Sequence, residues 1–236
     1  MSATIDVPKL KMLDGREMPA IALGTYLGFD KGGAVTSKDK QLRNVVMEAI
    51  DLGYRHFDTA AIYNTEEEVG EAIRMKIEEG VIKREDVFLT TKLWNTHHKR
   101  EQVAVAMKET LNKTGLDYVH PQIIQEDLIT YAKDEGIIVM GYSPFGSLVK
   151  RFGMEFPGPK MDDPVDRNVV PIPKTVSSKR LLENINIFDF KLNEDEIEKI
   201  NKFNSNTRYT LPSFWQKHPF YPFEMIPNPI PDPFRS

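Results

Sequence analysis

Apolar positions along this chain change period several times, and each change marks an element. Leu10-Lys11-Met12-Leu13-Asp14-Gly15-Arg16-Glu17-Met18 reads as a hairpin turning at Asp-Gly, the strongest short-range hairpin signal. A short apolar run, Ile21-Ala22-Leu23, ends at Gly24. From Ser37 the spacing turns helical, with Leu42, Val45, Val46, Ala49 and Ile50 on one face and Gly53 closing the helix. His56 to Asp58 is a short strand. Thr65-Glu66-Glu67-Glu68 has the form of a capping box, its carboxylates suited to a helix N-terminus. The helix it opens turns Val69, Ile73 and Ile77 inward and stops at Gly80. Val87 to Thr91 is a strand rich in β-branched residues, and residues 99–112 form a helix with Val103, Met107 and Leu111 along one face. Strand and helix alternating at this spacing predict a parallel sheet or a (β/α) barrel.

The rhythm then breaks. Asp117-Tyr118-Val119 begins like a fourth strand, but His120-Pro121 follows at once, and residues 124–135 read as a helix burying Leu128, Ile129 and Ala132. Gly136 ends it, and Ile137 to Tyr142 is a buried strand leading to Ser143-Pro144. A polar stretch rich in proline and glycine runs to Asn168, where a helix would be expected. Val169-Val170-Pro171-Ile172-Pro173 is a strand, Ser178 to Asn184 a short helix, and Asn193-Glu194-Asp195-Glu196 a second capping box. The tail from Tyr209 onward, dense in proline and aromatics, is a covering loop. This gives about five barrel strands where eight close a barrel.

Composition narrows the function classes. At 236 residues, with 40% hydrophobic and 28% charged residues, the chain reads as one soluble globular domain spanning 1–236. A net charge of -4, with its cations dispersed among carboxylates, gives no reason to expect nucleic acid or an anionic membrane. With no cysteine there is no disulfide and no thiolate metal site, and no metal is expected. The first residues carry no apolar signal region, and no apolar run approaches the ~20 residues of a membrane helix. The expected location is the cytoplasm.

Candidate chemistry sits at strand ends. Asp58 ends one strand, Tyr63 follows it, and Lys92 ends the next. Singly, these are a turn residue, a loop tyrosine and a solvated lysine. Together, at the carboxyl ends of neighbouring parallel strands, they form an acid/base set. A tyrosine protonates a carbonyl oxygen only if something lowers its pKa, and a close ammonium does so. Lys174, Thr175, Ser177, Lys179 and Arg180 join a strand to a helix N-terminus; helix-end amides beside fixed cations suit a phosphate, the plain alternative being a solvated cap. No phosphate-cradling GxGxxG is present, so no Rossmann unit is expected.

These residues resemble the aldo-keto reductase superfamily, in particular insect-like aldose/aldehyde reductases. The similarity rests on Leu23-Gly24-Thr25-Tyr26, Gly53-Tyr54-Arg55-His56-Phe57-Asp58-Thr59-Ala60, Tyr63, Lys92-Leu93-Trp94-Asn95 and Gly115-Leu116-Asp117-Tyr118-Val119. It continues through Tyr142-Ser143-Pro144-Phe145-Gly146-Ser147, Ile172-Pro173-Lys174-Thr175-Val176, Arg180, Glu183 and Asn184. The resemblance implies a (β/α)8 TIM barrel capped by an N-terminal hairpin and NADPH-dependent reduction of aldehydes or ketones. It makes Tyr63 the general acid, Lys92 its partner and Asp58 the anchor of Lys92. Gly24, Thr25 and Tyr26 fall in its cofactor-binding set, as do Ser143 and Phe145. Gly146 and Ser147 would meet the pyrophosphate, and Lys174, Thr175 and Arg180 the adenosine 2′-phosphate end. Glu183 and Asn184 point towards adenine, and Tyr142 either stacks on the nicotinamide or packs in the core. Tyr26, Trp94, Phe214 and Trp215 would wall the pocket of a small-molecule carbonyl substrate. The folded chain would be a monomer.

Two departures stand against this pattern. After Val119 the chain jumps to His120-Pro121, which resembles a later segment just past the sixth strand, so strands four to six and the family's orienting histidine are missing. A second gap follows Pro164, where the helix before the eighth strand belongs. His120 itself is expected to start a helix, and His97 and His98 to be loop residues. The alternative to an active reductase is therefore an impaired remnant, at most a weak NADPH-binding or interaction protein. Its opened barrel would leave unpaired, apolar strand edges.

Overall fold

The computed structural model describes residues 4–12, 15–30, 33–34, 38–92, 97, 100–122, 139–142, 169–201 and 217. By contact the chain divides into two units, residues 1–144 with 163–191 and residues 145–162 with 192–236.

In the first unit, β1 (Lys9–Lys11) and β2 (Glu17–Pro19) pair antiparallel, as the alternation around Asp-Gly predicts. Gly15 takes a positive φ of 86° at the turn, which glycine adopts without Cβ strain. β3 is Leu23–Gly24, and a second small antiparallel pair joins β4 (Phe29–Asp30) to β5 (Gly33–Ala34). Then come α1 (Gln41–Leu52), β6 (His56–Asp58), α2 (Glu66–Glu78), β7 (Phe88–Lys92), α3 (Arg100–Thr114) and β8 (His120–Gln122). β9 (Val139–Tyr142), β10 (Val169–Ile172) and α4 (Ser178–Ile185) follow.

Parallel pairing runs β3–β6–β7–β8, with Gly24 opposite Asp58, Asp58 opposite Thr90, and Lys92 opposite Gln122. β9 pairs parallel with β10. β10 meets β3 where Ala22 N donates to Pro171 O at 3.0 Å, Gly24 N donates to Pro173 O at 2.9 Å, and Gly24 bridges Lys174. β8 covers the far side of β7, so among the described strands the outer edges are those of β8 and β9. His120-Pro121 does not open a helix; it continues the run begun at Val119 as a strand. Pro121, which has no N–H to give, sits in the outermost described strand, where proline is tolerated.

Helices α1 and α2 cover one side of the sheet. Leu42, Val46, Ala49 and Ile50 of α1 and Val69 and Ile73 of α2 are buried with Leu23, Phe57 and Leu89 from the strands. Each of the Leu, Ile, Val and Phe side chains among them, fully buried, is worth about 1.5–3 kcal/mol. The hairpin packs at the other face, where Met18 joins Phe88 and Val170, with Leu10 and Met12 against them. The carboxyl ends of β3, β6 and β7 are left to carry polar residues.

Three helix boundaries show what sets the local geometry. Gly53 caps α1 with φ 117°, its N–H bonded to Ala49 and Ile50 carbonyls, and a Cβ there would run into the backbone of Ile5. The capping box expected at α2 does not form. Thr65 makes no side-chain cap bond; its hydroxyl lies 3.0 Å from those of Thr25 and Thr59. Glu68 instead accepts the Arg43 amide at 3.1 Å. A buried cluster of hydroxyls at the strand ends wins over the local cap. The second box does form, in the second unit, on α5 (Glu194–Asn201). There Asn193 N donates to Glu196 at 2.9 Å and Glu196 N donates to Asn193 Oδ1 at 3.0 Å.

α2 and α3 touch at Gly70, whose Cβ position is occupied by the Thr114 carbonyl. Gly70→Ala will destabilise the fold by about 1–3 kcal/mol, the cost of overpacking. A denaturant melt showing no loss would mean the helices separate freely.

Candidate active site

β6 and β7 present Asp58 and Lys92 side by side because their parallel register sets Asp58 level with Thr90, two residues before Lys92. Residues two apart on a strand share a face, so Thr90 and Lys92 both face Asp58's side. Lys92 Nζ donates to Asp58 Oδ1 at 2.7 Å, to Asp58 Oδ2 at 2.5 Å, and to the Thr59 carbonyl at 3.1 Å. An ammonium has three hydrogens to give, so this set engages them all. Both partners are largely buried, with side-chain exposures of 14% and 6%. Burial pushes the Asp58 carboxyl up, against the pull of Lys92. Burial also pushes the Lys92 ammonium down, against the pull of Asp58. Loss of solvent opposes each charge, while the pairing sustains both.

A 3-10 turn over Ala61–Tyr63 carries Tyr63 over this pair. Lys92 Nζ stands 4.8 Å from the centre of the Tyr63 ring, within cation–π range. Tyr26 packs against Tyr63 with ring centres 5.0 Å apart, tilted by 47°. Asp58, Tyr63, Lys92 and Tyr26, all singled out from sequence, are thus brought together. Thr25 lies beneath them, fully buried, its hydroxyl donating to the Asp58 carbonyl at 2.9 Å. Gly24 allows close strand contact: a Cβ would meet Ile172 Cγ2 and O at 3.3 Å.

The predicted phosphate junction sits next door, because Gly24 bridges Lys174. Thr175 is buried, and its hydroxyl accepts the Ser177 amide at 3.0 Å, which shapes the loop into α4. Ser177 caps α4 without a side-chain bond, which leaves first-turn amides without that partner. Lys174, Lys179 and Arg180 are exposed there. Glu183 is exposed and 3.6 Å from Lys179, and Asn184 is half-buried. Tyr142 ends β9 opposite Ile172. Trp94, His98, Ser143, Phe145, Gly146, Ser147, Phe214 and Trp215, together with the gap position after Pro164, lie outside the described residues; His97 is half-buried.

Sequence reading missed the groups that hold the site. Thr59 and Thr65 join Thr25, itself expected in the cofactor-binding set, in a hydroxyl cluster; His56 Nε2 lies 2.8 Å from Thr90 Oγ1, and Glu66 accepts from Thr91 at 2.9 Å. The adjacent threonines before Lys92 were the available signal, since neighbouring strand residues reach opposite faces.

Comparison with known proteins decides the family. The Aldo/keto reductase family pattern matches residues 20–121. Silkworm (Bombyx mori) aldo-keto reductase AKR2E4 is 32% identical, the match covering 92% of this chain and 99% of the relative. The chain belongs to the aldo/keto reductase family. The crystal structure of silkworm AKR2E5 superposes with a TM-score of 0.84 at 28% identity, covering 98% of each chain. That of AKR2E4 in complex with NADP gives 0.78 at 30% identity, covering 93% of this chain and all of the other. The fold is accordingly α/β, of the (β/α)8 type of aldo-keto reductases. The AKR2E4 alignment runs over 308 positions, more than the chain's 236 residues, so the relative has segments with no counterpart here. Among the described residues of this reductase-family chain, no helix is long and apolar enough to cross a membrane, and no cluster of His, Asp and Glu could hold a metal ion.

Proposed function

We propose that this chain reduces aldehydes or ketones to alcohols with NADPH, Tyr63 giving the proton. The observation that carries the reading is the buried Asp58–Lys92 pair set against the Tyr63 ring. NADPH, when bound, supplies the hydride that bonds to the carbonyl carbon. Tyr63 gives its hydroxyl proton to the carbonyl oxygen, so the C=O becomes CH–OH and a phenolate remains. Lys92 stabilises that phenolate by its charge, and Asp58 with the Thr59 carbonyl keeps the ammonium in place. For the cofactor, the chemistry of the donors fits: Lys174 and Arg180 suit the 2′-phosphate and the first-turn amides of α4 add their dipole. Glu183 and Asn184, on the same short helix, would contact the adenine. Gly24, Thr25 and Tyr26, at the end of β3 beside Asp58, would hold the nicotinamide end.

The test is loss of reduced-nicotinamide absorbance when the purified 236-residue chain is mixed with NADPH and a generic aldehyde. Turnover supports the reading; NADPH binding without turnover, seen as a thermal shift alone, supports the second one. That second reading, an impaired remnant, is favoured by the relative's extra segments. Because burial lowers the Lys92 pKa, reduction will fall at high pH before an ordinary lysine, near 10.4, would deprotonate. The sign follows from the role: the ammonium is needed, and it is lost as pH rises through the lowered value. A pH profile of kcat/KM checks this, and Lys92→Arg will carry the residual activity to higher pH.

A further inference from the structure

We propose that Glu66 is a positioning residue for Lys92, acting through Thr91. Glu66 is the first residue of α2, yet it is 2% exposed. One carboxylate oxygen accepts two hydroxyls, Thr91 Oγ1 from β7 at 2.9 Å and Thr110 Oγ1 from α3 at 2.8 Å. Its other oxygen has no hydrogen-bond partner and lies 3.8 Å from Lys113 Nζ. Burying a carboxylate this way is costly; a hydrophobic residue there would serve packing alone. What the carboxylate does is pin the end of β7 to two helices.

The residue it pins immediately precedes Lys92. On the opposite face Thr90 is held at 2.8 Å by His56, itself fully buried and edge-on to Phe88 with ring centres 4.8 Å apart. The end of β7 is therefore clamped from both sides, and Lys92 leaves it towards Asp58. Strand pairing alone fixes the backbone line; the two side-chain clamps fix the rotation about it. Glu66 is the outer clamp.

Thr91→Val in the full chain removes the hydroxyl and keeps the shape. The readout is the acetylation rate of each lysine by acetic anhydride, followed by peptide mass spectrometry. Lys92 will label about five-fold faster, the factor that one ordinary hydrogen bond corresponds to. Lys76 is the internal control. It lies on α2 with Glu66, is comparably covered at 9% side-chain exposure, and bonds Asp51 and Glu79 instead. Its rate will not change, and Thr91→Ser will restore the Lys92 rate. Equal acceleration of both lysines, or none at Lys92, overturns the proposal. Thr91→Ala carries the same test if the valine variant does not fold. The proposal takes the role of Lys92 from the reductase reading, but its labelling does not require turnover. A chain without reductase activity whose Lys92 still responds would defeat that reading and leave the positioning role standing.

Discussion

Tyr63→Phe will abolish most carbonyl reduction while leaving NADPH binding intact. Positioned proton donors contribute typically about 10²–10⁴-fold to rate, and the substitution removes the proposed donor hydroxyl while keeping the ring. The ring keeps its contacts with Tyr26 and Lys92, so its surroundings stay in place. Steady-state kinetics should show the loss in kcat, and the NADPH-induced rise in melting temperature should match the parent's. Reduction that survives the substitution would shift the proton to another donor. A lost thermal shift would instead make Tyr63 a cofactor contact. Lys92→Arg makes a useful companion: it keeps a charge over the ring but not the compact ammonium that fits the Asp58 and Thr59 oxygens.

How much of this was readable beforehand depends on the kind of signal. The α1 stripe of Leu42, Val45, Val46, Ala49 and Ile50 with its Gly53 stop was legible because period and cap agree, and all of those residues are buried. The meeting of Asp58 and Lys92 was legible for a similar reason: parallel strands put their carboxyl ends together. Tyr63 followed from its short distance in sequence to Asp58. What stayed hidden depends on long-range choices that no local pattern encodes. Thr65 looks like a cap until Thr25 and Thr59, 40 and 6 positions away, offer buried hydroxyls. His120-Pro121 looks like a break until an adjacent strand with an unfilled edge supplies a register. Glu66 looked like one more acid of a helix N-terminus. Only the arrival of Thr91 and Thr110 on one of its oxygens makes it part of the interior.

Lys92→Met should show how strongly the fold depends on the site's own charges. Removing one partner of a buried ion pair leaves the other charged and unpaired, which costs about 3–5 kcal/mol. Denaturant titration near neutral pH should register a loss of that size. The loss will also depend on pH in a definite direction. Burial already raises the Asp58 pKa while Lys92 opposes it; without the ammonium only the raising influence remains. A carboxyl whose folded-state pKa exceeds its unfolded one holds the extra proton in the folded state. The penalty is therefore absent below the unfolded value, grows as pH rises through the raised one, and is complete above it. The variant should accordingly lose less at about pH 5 than at about pH 8. Asp58→Asn combined with Lys92→Met should recover much of the stability at the higher pH, since neither partner is then charged. If the loss proves equal at both pH values, Asp58 is not the buried charge that Lys92 sustains. In that event the ammonium is held by the Thr59 carbonyl and the Tyr63 ring, and its orientation towards substrate would rest on those two contacts.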